Sequence, residues 1–240
     1  ELTGVLLRSG APIGDMNTVR KHLSQIKGGQ LARRAAPAQV VALILSDVVG
    51  SPLDVIASGP TVPDTSTFSD AMAVLDRCGG LDAVPAAVAA HIRRGAAGEI
   101  SDTPKAGDPA LEAVFNVIVG DNAVAAEAAQ QKAEELGFNT LLLSTFIEGE
   151  AREVAAVLVG LGREIAALNR PVARPACLIL GGETTVTIQG TGKGGRNQEL
   201  AVAAARILRD EPGIMLGSLA TDGTDGPTDA TGAFASWHTV

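Results

Sequence analysis

The chain has no tyrosine, and aromatic residues fill only 2% of its 240 positions. Apolar residues nevertheless make up 46%, so the interior must be built from Ala, Val, Leu and Ile. That is the material of Ala-rich helices packed on aliphatic strands. Cysteine is scarce too. Cys78 and Cys177 lie far apart without metal-ligand spacing, and they read as buried or half-buried thiols in a reducing cytoplasm. The three histidines, His22, His91 and His238, show no metal-binding spacing. No apolar run is long enough to cross a bilayer, and no signal peptide is visible. Positive charge is in deficit, with 19 Lys and Arg against 27 Asp and Glu. A net charge of −8 argues against nucleic acid as a partner but leaves room for a small anion held by a local donor cluster. A G-x-S-x-G nucleophile elbow is missing, as is a G-x-G-x-x-G dinucleotide fingerprint between a strand and a helix.

What is present alternates between two kinds of segment. Short aliphatic runs end in polar, glycine-rich turns: Val40 to Leu45, Val117 to Val119, Thr140 to Ser144, Ala176 to Leu180 and Ile214 to Leu219. Each reads as a buried strand opening into a loop. Between them lie helical stretches at Met16 to Ile26, Ala123 to Leu136, Ala151 to Leu168 and Gln198 to Arg209. Strand–helix alternation predicts a layered α/β/α arrangement on a mostly parallel sheet, with ligands at the carboxyl ends of the strands. The β-branched run from Glu183 to Gln189 predicts a hairpin, which would make the second sheet mixed. Arg170 to Pro175, with two prolines, is the linker candidate. It divides the chain into a first α/β domain, 1–170, and a second α/β domain, 171–240.

Four loops have the composition of ligand sites. Gly190-Thr191-Gly192-Lys193-Gly194-Gly195-Arg196-Asn197 precedes a helix. Its glycines let backbone N–H groups approach a ligand, the helix start suits phosphate, and Arg196 offers a planar fork for oxyanions. A mobile hairpin loop with solvated charges is the bland alternative. Thr221-Asp222-Gly223-Thr224-Asp225-Gly226-Pro227-Thr228-Asp229 offers three carboxylates, suited to Mg²⁺ or to accepting a hydroxyl proton, or else to Asx turns at a surface. On a helix from Met16, Arg20, Ser24 and Lys27 would share one face, either a cationic wall or a solvated surface. His22 falls off that face and reads as structural or solvent-exposed. Ser46 and Asp47 sit where a strand ends.

Taken in order, the stretches MNTVRKHLSQIKGG, SDVVG with PLDVIASGPTVPD, TPK, IVGDN, IEGEARE, GGETTVTIQGTGKGGRNQEL and ATDGTDGPTDATGA resemble the glycerate 2-kinases of the MOFRL class. The resemblance implies two α/β domains facing each other across a cleft, the second carrying the MOFRL name. It implies ATP-dependent phosphorylation of D-glycerate to 2-phosphoglycerate with Mg²⁺. Members are often called hydroxypyruvate reductases, so a reductase on the same carbon skeleton is the alternative activity. The resemblance marks Arg196 as the catalytic arginine, and with Asp222 and Asp225 it gives the catalytic set. Asp222 and Asp229 are the metal candidates. Arg20, Lys21, Ser46, Asp47, Glu183 and Thr184 are expected to contact substrate, and Gly192, Lys193, Gly194, Gly195 and Asn197 to contact nucleotide. Partners are then glycerate and ATP, in the cytoplasm, with neither nucleic acid nor membrane, and a homodimer is compatible.

Two departures from the family pattern stand out. Members begin with a further segment bearing a G-x-G-K-A stretch with a catalytic lysine and an S-G-G-S-type loop, and they continue beyond Val240. The chain therefore reads as an internal piece, for which a catalytically incomplete ligand-binding fragment is a further alternative. Ser51 also occupies a position where the family commonly has Asp.

Overall fold

The computed structural model describes residues 1–239. The chain forms two compact units, Glu1–Val119 and Gly120–Val240, both of mixed α/β structure.

The first unit opens with three helices, α1 (Leu2–Arg8), α2 (Ile13–Leu23) and α3 (Gln30–Ala35). Strand β1 (Val40–Leu45) follows, then α4 (Phe68–Arg77), α5 (Ala86–Ala96) and β2 (Val114–Gly120). Apolar side chains of α1, α2, α4 and α5 meet in one core around Leu6, Met16, Val19, Phe68, Leu75 and Ile92. Helix α2 lies earlier in the chain than the Met16 to Ile26 stretch that its pattern predicts, at the same length of 11 residues. It stops at Leu23, and Ser24, in extended backbone geometry, accepts the amides of Ile26 and Lys27 on its hydroxyl. Arg20, Ser24 and Lys27 therefore do not form one helical face. Helix α4 carries a complete capping box: Thr67 accepts the Asp70 amide and Asp70 accepts the Thr67 amide.

Strands β1 and β2 pair in a two-stranded sheet. They are not the buried strands that their aliphatic runs predict. Val41, Leu43 and Leu45 are 60 to 79% exposed, and Phe115, Val117 and Val119 are also open. Alternate residues of a strand point to opposite faces, and in β1 one face is open while the other is half-buried.

The second unit begins with α6 (Asn122–Glu135), capped by Asp121 on the Val124 amide. Strand β3 (Asn139–Glu150), α7 (Ala151–Leu168) and β4 (Ala176–Thr185) follow, and then α8 (Arg196–Leu208), β5 (Met215–Leu219) and β6 (Gly232–Ser236). Strand β4 runs parallel to β3 without reversal, pairing Glu148 with Glu183 and Glu150 with Thr185. The hairpin expected over Glu183 to Gln189 is absent. Glu150 accepts the Thr187 amide at 2.8 Å, which continues the chain past the end of β4 rather than turning it back. Antiparallel pairing occurs instead between β5 and β6.

Helices α7 and α8 bury Ala151, Ala155 and Val159 against Leu200, Ala201, Ala204, Ala205 and Leu208, with Ala235 of β6 in the same core. Both stripes recur at helical spacing, and the alanines let the helices come close. Among the described residues no helix is long and apolar enough to cross a membrane.

Candidate functional site

In the second unit, the glycine loop and the Asp-rich loop meet at the start of α8. Gly195 occupies the N-cap position and offers no capping side chain. Four N–H groups from the first turn converge instead on the carboxylate of Asp225. The Asn197 amide and side chain donate to Oδ1 at 3.1 and 3.2 Å, and the Gln198 amide and side chain to Oδ2 at 2.8 and 3.1 Å. Asp225 is 2% exposed. Burial pushes its carboxyl up, but the donors from Gln198 and Asn197 outweigh burial and hold it below the usual carboxylate range. Its fit is close. A side chain on Gly195 would run into Asp225, and Gly226, at φ +61°, leaves no room for one against the Gly194 carbonyl.

The network reaches further. Gln198 donates to Thr228 Oγ1 at 2.9 Å, Thr228 donates to the Asp225 carbonyl at 2.7 Å, and Ser218 of β5 donates to Asn197 Oδ1 at 2.6 Å.

Arg196 is the first residue of α8. It forms an ion pair with Glu183 and donates to the Thr184 carbonyl at 3.4 Å, so the end of β4 and the start of α8 share a charged contact. Glu183 lies opposite Glu148 in the strand register. Like charges so placed repel, and Arg196 offsets that repulsion. The arginine remains 44% exposed. Among the described residues, 191–194 make no hydrogen bond, which leaves the amides of Gly192, Lys193 and Gly194 and the Lys193 ammonium open to a ligand. Asp222 and Asp229 are exposed, and Asp222 accepts the Thr224 amide at 3.1 Å in an Asx turn. Thus Glu183, Thr184, Gly195, Arg196, Asn197 and Asp225 come together. The N-terminal amides of α8, expected to face phosphate, face Asp225.

In the first unit a second set of charges is buried. Lys21 pairs with Asp64 at 3.2 Å, with the lysine 7% and the aspartate 1% exposed. Ser66 donates its amide and hydroxyl to Asp64, and Thr103 donates its hydroxyl to Oδ2 at 2.9 Å. Burial raises the Asp64 carboxyl, while Ser66, Lys21 and Thr103 together bring it below its ordinary value. His22 completes the set. Its Nδ1 lies 2.7 Å from the Thr18 carbonyl and its Nε2 2.9 Å from Asp102 Oδ1. Both partners are acceptors, so both bonds form together when both ring nitrogens carry hydrogen. Asp102 is in turn held by the Thr103 amide and Lys105, and Lys105 donates to the Ser66 carbonyl.

Lys21, expected at substrate, is thus the buried partner of Asp64. Ser46 is buried and accepts the Val48 amide at 3.2 Å, while Asp47 is exposed. Arg20 is half-buried and carries no ion pair among the described residues. Lys27 donates to the Ala57 carbonyl at 2.9 Å.

Sequence reasoning gave no individual role to Asp64, Asp102, Glu150, Gln198, Ser218 or Thr228, although Asp64, Glu150, Gln198 and Thr228 lie within stretches it singled out. The T-x-x-D box at Thr67 and the clustering of Asp64, Asp102 and Lys105 within polar motifs were the available signals. The pairing of Gln198 with Thr228 had none.

Two family models match the chain: a domain of unknown function, DUF4147, over residues 1–93 and the MOFRL family over residues 176–240. The chain is 45% identical over its full length to the D-glycerate 2-kinase of Thermotoga maritima and covers 54% of that protein. It is 40% identical to the glycerate kinase of Macaca fascicularis, over 98% of this chain and 68% of that protein. The crystal structure of the Thermotoga maritima glycerate kinase superimposes with a TM-score of 0.88 at 46% identity, covering 98% of this chain and 54% of that one. The chain therefore spans about half the length of the Thermotoga maritima relative.

Proposed function

The chain belongs to the MOFRL family of glycerate kinases, and from that we propose that it supplies Arg196 and its surrounding loops to the ATP-dependent phosphorylation of D-glycerate at the 2-hydroxyl. The observation that carries the reading is the placement of Arg196. It stands exposed at the first position of α8, directly after a glycine loop whose amides are unengaged, with an acidic partner, Glu183, that an incoming phosphoryl group can replace.

Phosphoryl transfer depends on positioning and charge stabilisation more than on covalent participation by the protein. Arg196 meets the charge that spreads over the transferring oxygens. Lys193 and the amides of Gly192 and Gly194 orient the nucleotide phosphates. Arg20, half-buried and without an ion pair among the described residues, is the candidate for the glycerate carboxylate, with Ser46 and Asp47 as further substrate contacts.

The donor set also fits magnesium. Mg²⁺ takes one or two carboxylates, keeps several waters and binds substrate phosphates. Asp222 and Asp229 are exposed carboxylates in one loop. Among the described residues no group of three or more His, Cys, Asp or Glu gathers as a protein cage, and this ion does not require one. Asp222 and Asp229 would hold the ion, which when bound neutralises charge on the phosphate oxygens. The four-donor carboxylate of Asp225 has no place in that set.

The boundary at Arg170 to Pro175 belongs to the same proposal, supported by the MOFRL match beginning at Ala176. A cytoplasmic location is likewise proposed, in keeping with two free cysteines.

A coupled ADP-release assay with D-glycerate, ATP and Mg²⁺ on the native full-length polypeptide tests the reading, with NADH and hydroxypyruvate run in parallel. Formation of 2-phosphoglycerate supports it. NADH consumption without ADP release from folded protein refutes it.

A further inference from the structure

Of the three aspartates in the Asp-rich loop, one differs in kind from the others. Asp222 and Asp229 face solvent, whereas Asp225 is buried and its two oxygens take four N–H donors from two consecutive residues of α8. Helix starts leave amides that need acceptors, and the usual source is a side chain at the N-cap. Here the N-cap is Gly195. The glycine allows the preceding loop its backbone freedom but leaves α8 without a local cap.

We infer that Asp225 is a positioning residue: its carboxylate caps α8 from the neighbouring loop and thereby fixes the direction in which Arg196 leaves the helix. The inference rests on the proposed role of Arg196.

Three features carry it. Arg196 is immediately followed by the two residues that Asp225 holds, so its backbone cannot rotate without breaking those bonds. The hold is rigid because the space is filled: Gly195 and Gly226 pack against Asp225 and Gly194 so closely that neither tolerates a side chain. The Asp225 amide is itself anchored to the Ala230 carbonyl at 2.8 Å, so the cap is tied to its own loop. A glycine loop that must stay open for nucleotide and an arginine that must stay aimed make opposing demands on one stretch of chain. A cap supplied from elsewhere in the sequence satisfies both. It also couples the loop bearing Asp222 and Asp229 to the arginine, so ordering of either is felt by the other.

The test uses Asp225→Asn in the native full-length enzyme, alone and combined with Arg196→Lys. An asparagine keeps the shape but turns an NH₂ group toward donors. A misaimed catalytic group costs roughly 10- to 100-fold in rate. The expected result is a fall of that size in kcat, with KM for glycerate and ATP within about twofold. In the Arg196→Lys background the same substitution should change kcat less than about threefold, because residues acting as a unit are non-additive. Equal losses in both backgrounds would overturn the inference, as would an unchanged kcat with only a lowered Tm.

If Asp225→Asn does not fold, Thr228→Val removes one hydroxyl from the network without altering charge. It should show the same pattern at smaller size, and additivity with Arg196→Lys would again refute the coupling. The cap is also read without any assay of activity. In the ligand-free protein the Asn197 and Gln198 amides should be protected from hydrogen exchange, and they should lose protection selectively in Thr228→Val or Asp225→Asn. Fast exchange at both amides in the unsubstituted protein would sink the inference. A kinase assay silent in the unsubstituted enzyme, with those amides protected, would instead refute the kinase reading, and with it the role of Arg196 on which the inference stands.

Discussion

Replacing Asp64 by Ala should be the most damaging single change in the first unit. The aspartate side chain is fully buried and its lysine partner nearly so, at 0% and 9% exposure. Removing the carboxylate leaves the Lys21 ammonium enclosed without a counter-charge, strips the Ser66 hydroxyl of its acceptor and leaves the Thr103 hydroxyl only the longer bond to Asp102. Breaking one side of a buried pair costs about 3–5 kcal/mol, a large part of the roughly 5–15 kcal/mol that holds a typical domain together. For a chain of this size that corresponds to a Tm lower by roughly 6–20 °C. Hydrogen exchange resolved by peptide is the assay of choice, because the single tryptophan, Trp237, lies in the second unit. Peptides from α2 and α4 should lose protection, while those from α7 and α8 keep it. The double substitution Lys21→Met with Asp64→Leu should recover the part of the loss that comes from the enclosed ammonium, since an apolar pair of similar volume commonly equals a buried ion pair, but not the part that comes from the Ser66 and Thr103 donors. The pH dependence has a definite sign. The folded carboxyl of Asp64 lies below its unfolded value, so the stabilisation is fully present above the unfolded carboxylate range near pH 4 and is lost as pH falls through the folded value. A change below about 0.5 kcal/mol in Asp64→Ala would refute the reasoning.

Other outcomes follow from the same geometry. Thr67→Ala removes half of the capping box of α4 and should cost about 1 kcal/mol, read from urea unfolding. Arg163 and Glu211 form a bidentate but exposed pair. Arg163→Ala should leave Tm unchanged within error, because exposed pairs contribute little, and a drop comparable to that of Thr67→Ala would contradict this account.

Much of the second unit was legible in the sequence. The helix predicted from Ala151 to Leu168 is α7 to the residue, because an uninterrupted apolar periodicity is the strongest local signal. Asn169 in the left-handed conformation closes it. The aliphatic run of β4 predicts a strand that ends at Leu180, whereas the strand extends to Thr185. Glycines 181 and 182 read as a turn, but the strand runs on through them, with Gly182 opposite Ile147, and only the partner strand reveals that. In the first unit, α4 and α5 went unread although Thr67 and Asp70 spell a cap and Pro85 precedes the second.

The candidate site was legible in composition and less so in geometry. Spacing placed three aspartates in one loop, and nothing local separates the buried one from its exposed neighbours. That distinction comes from α8, some 27 residues earlier in the chain. Lys21 and Arg20 are adjacent cations on one helix, yet one is buried against Asp64 and the other is not. Their difference depends on the loop that carries Asp64, which no helical wheel of α2 contains.

The central claim is that Arg196, offered by a glycine loop and the first turn of α8, serves phosphoryl transfer to glycerate. Its most direct test is the rate of 2-phosphoglycerate formation by the native full-length enzyme and its Arg196→Ala variant, at saturating ATP, Mg²⁺ and D-glycerate. The account predicts turnover by the first and a loss of roughly 10³-fold or more in kcat for the second, with the fold of the variant intact by hydrogen exchange. A variant within a few-fold of the unsubstituted enzyme would contradict it.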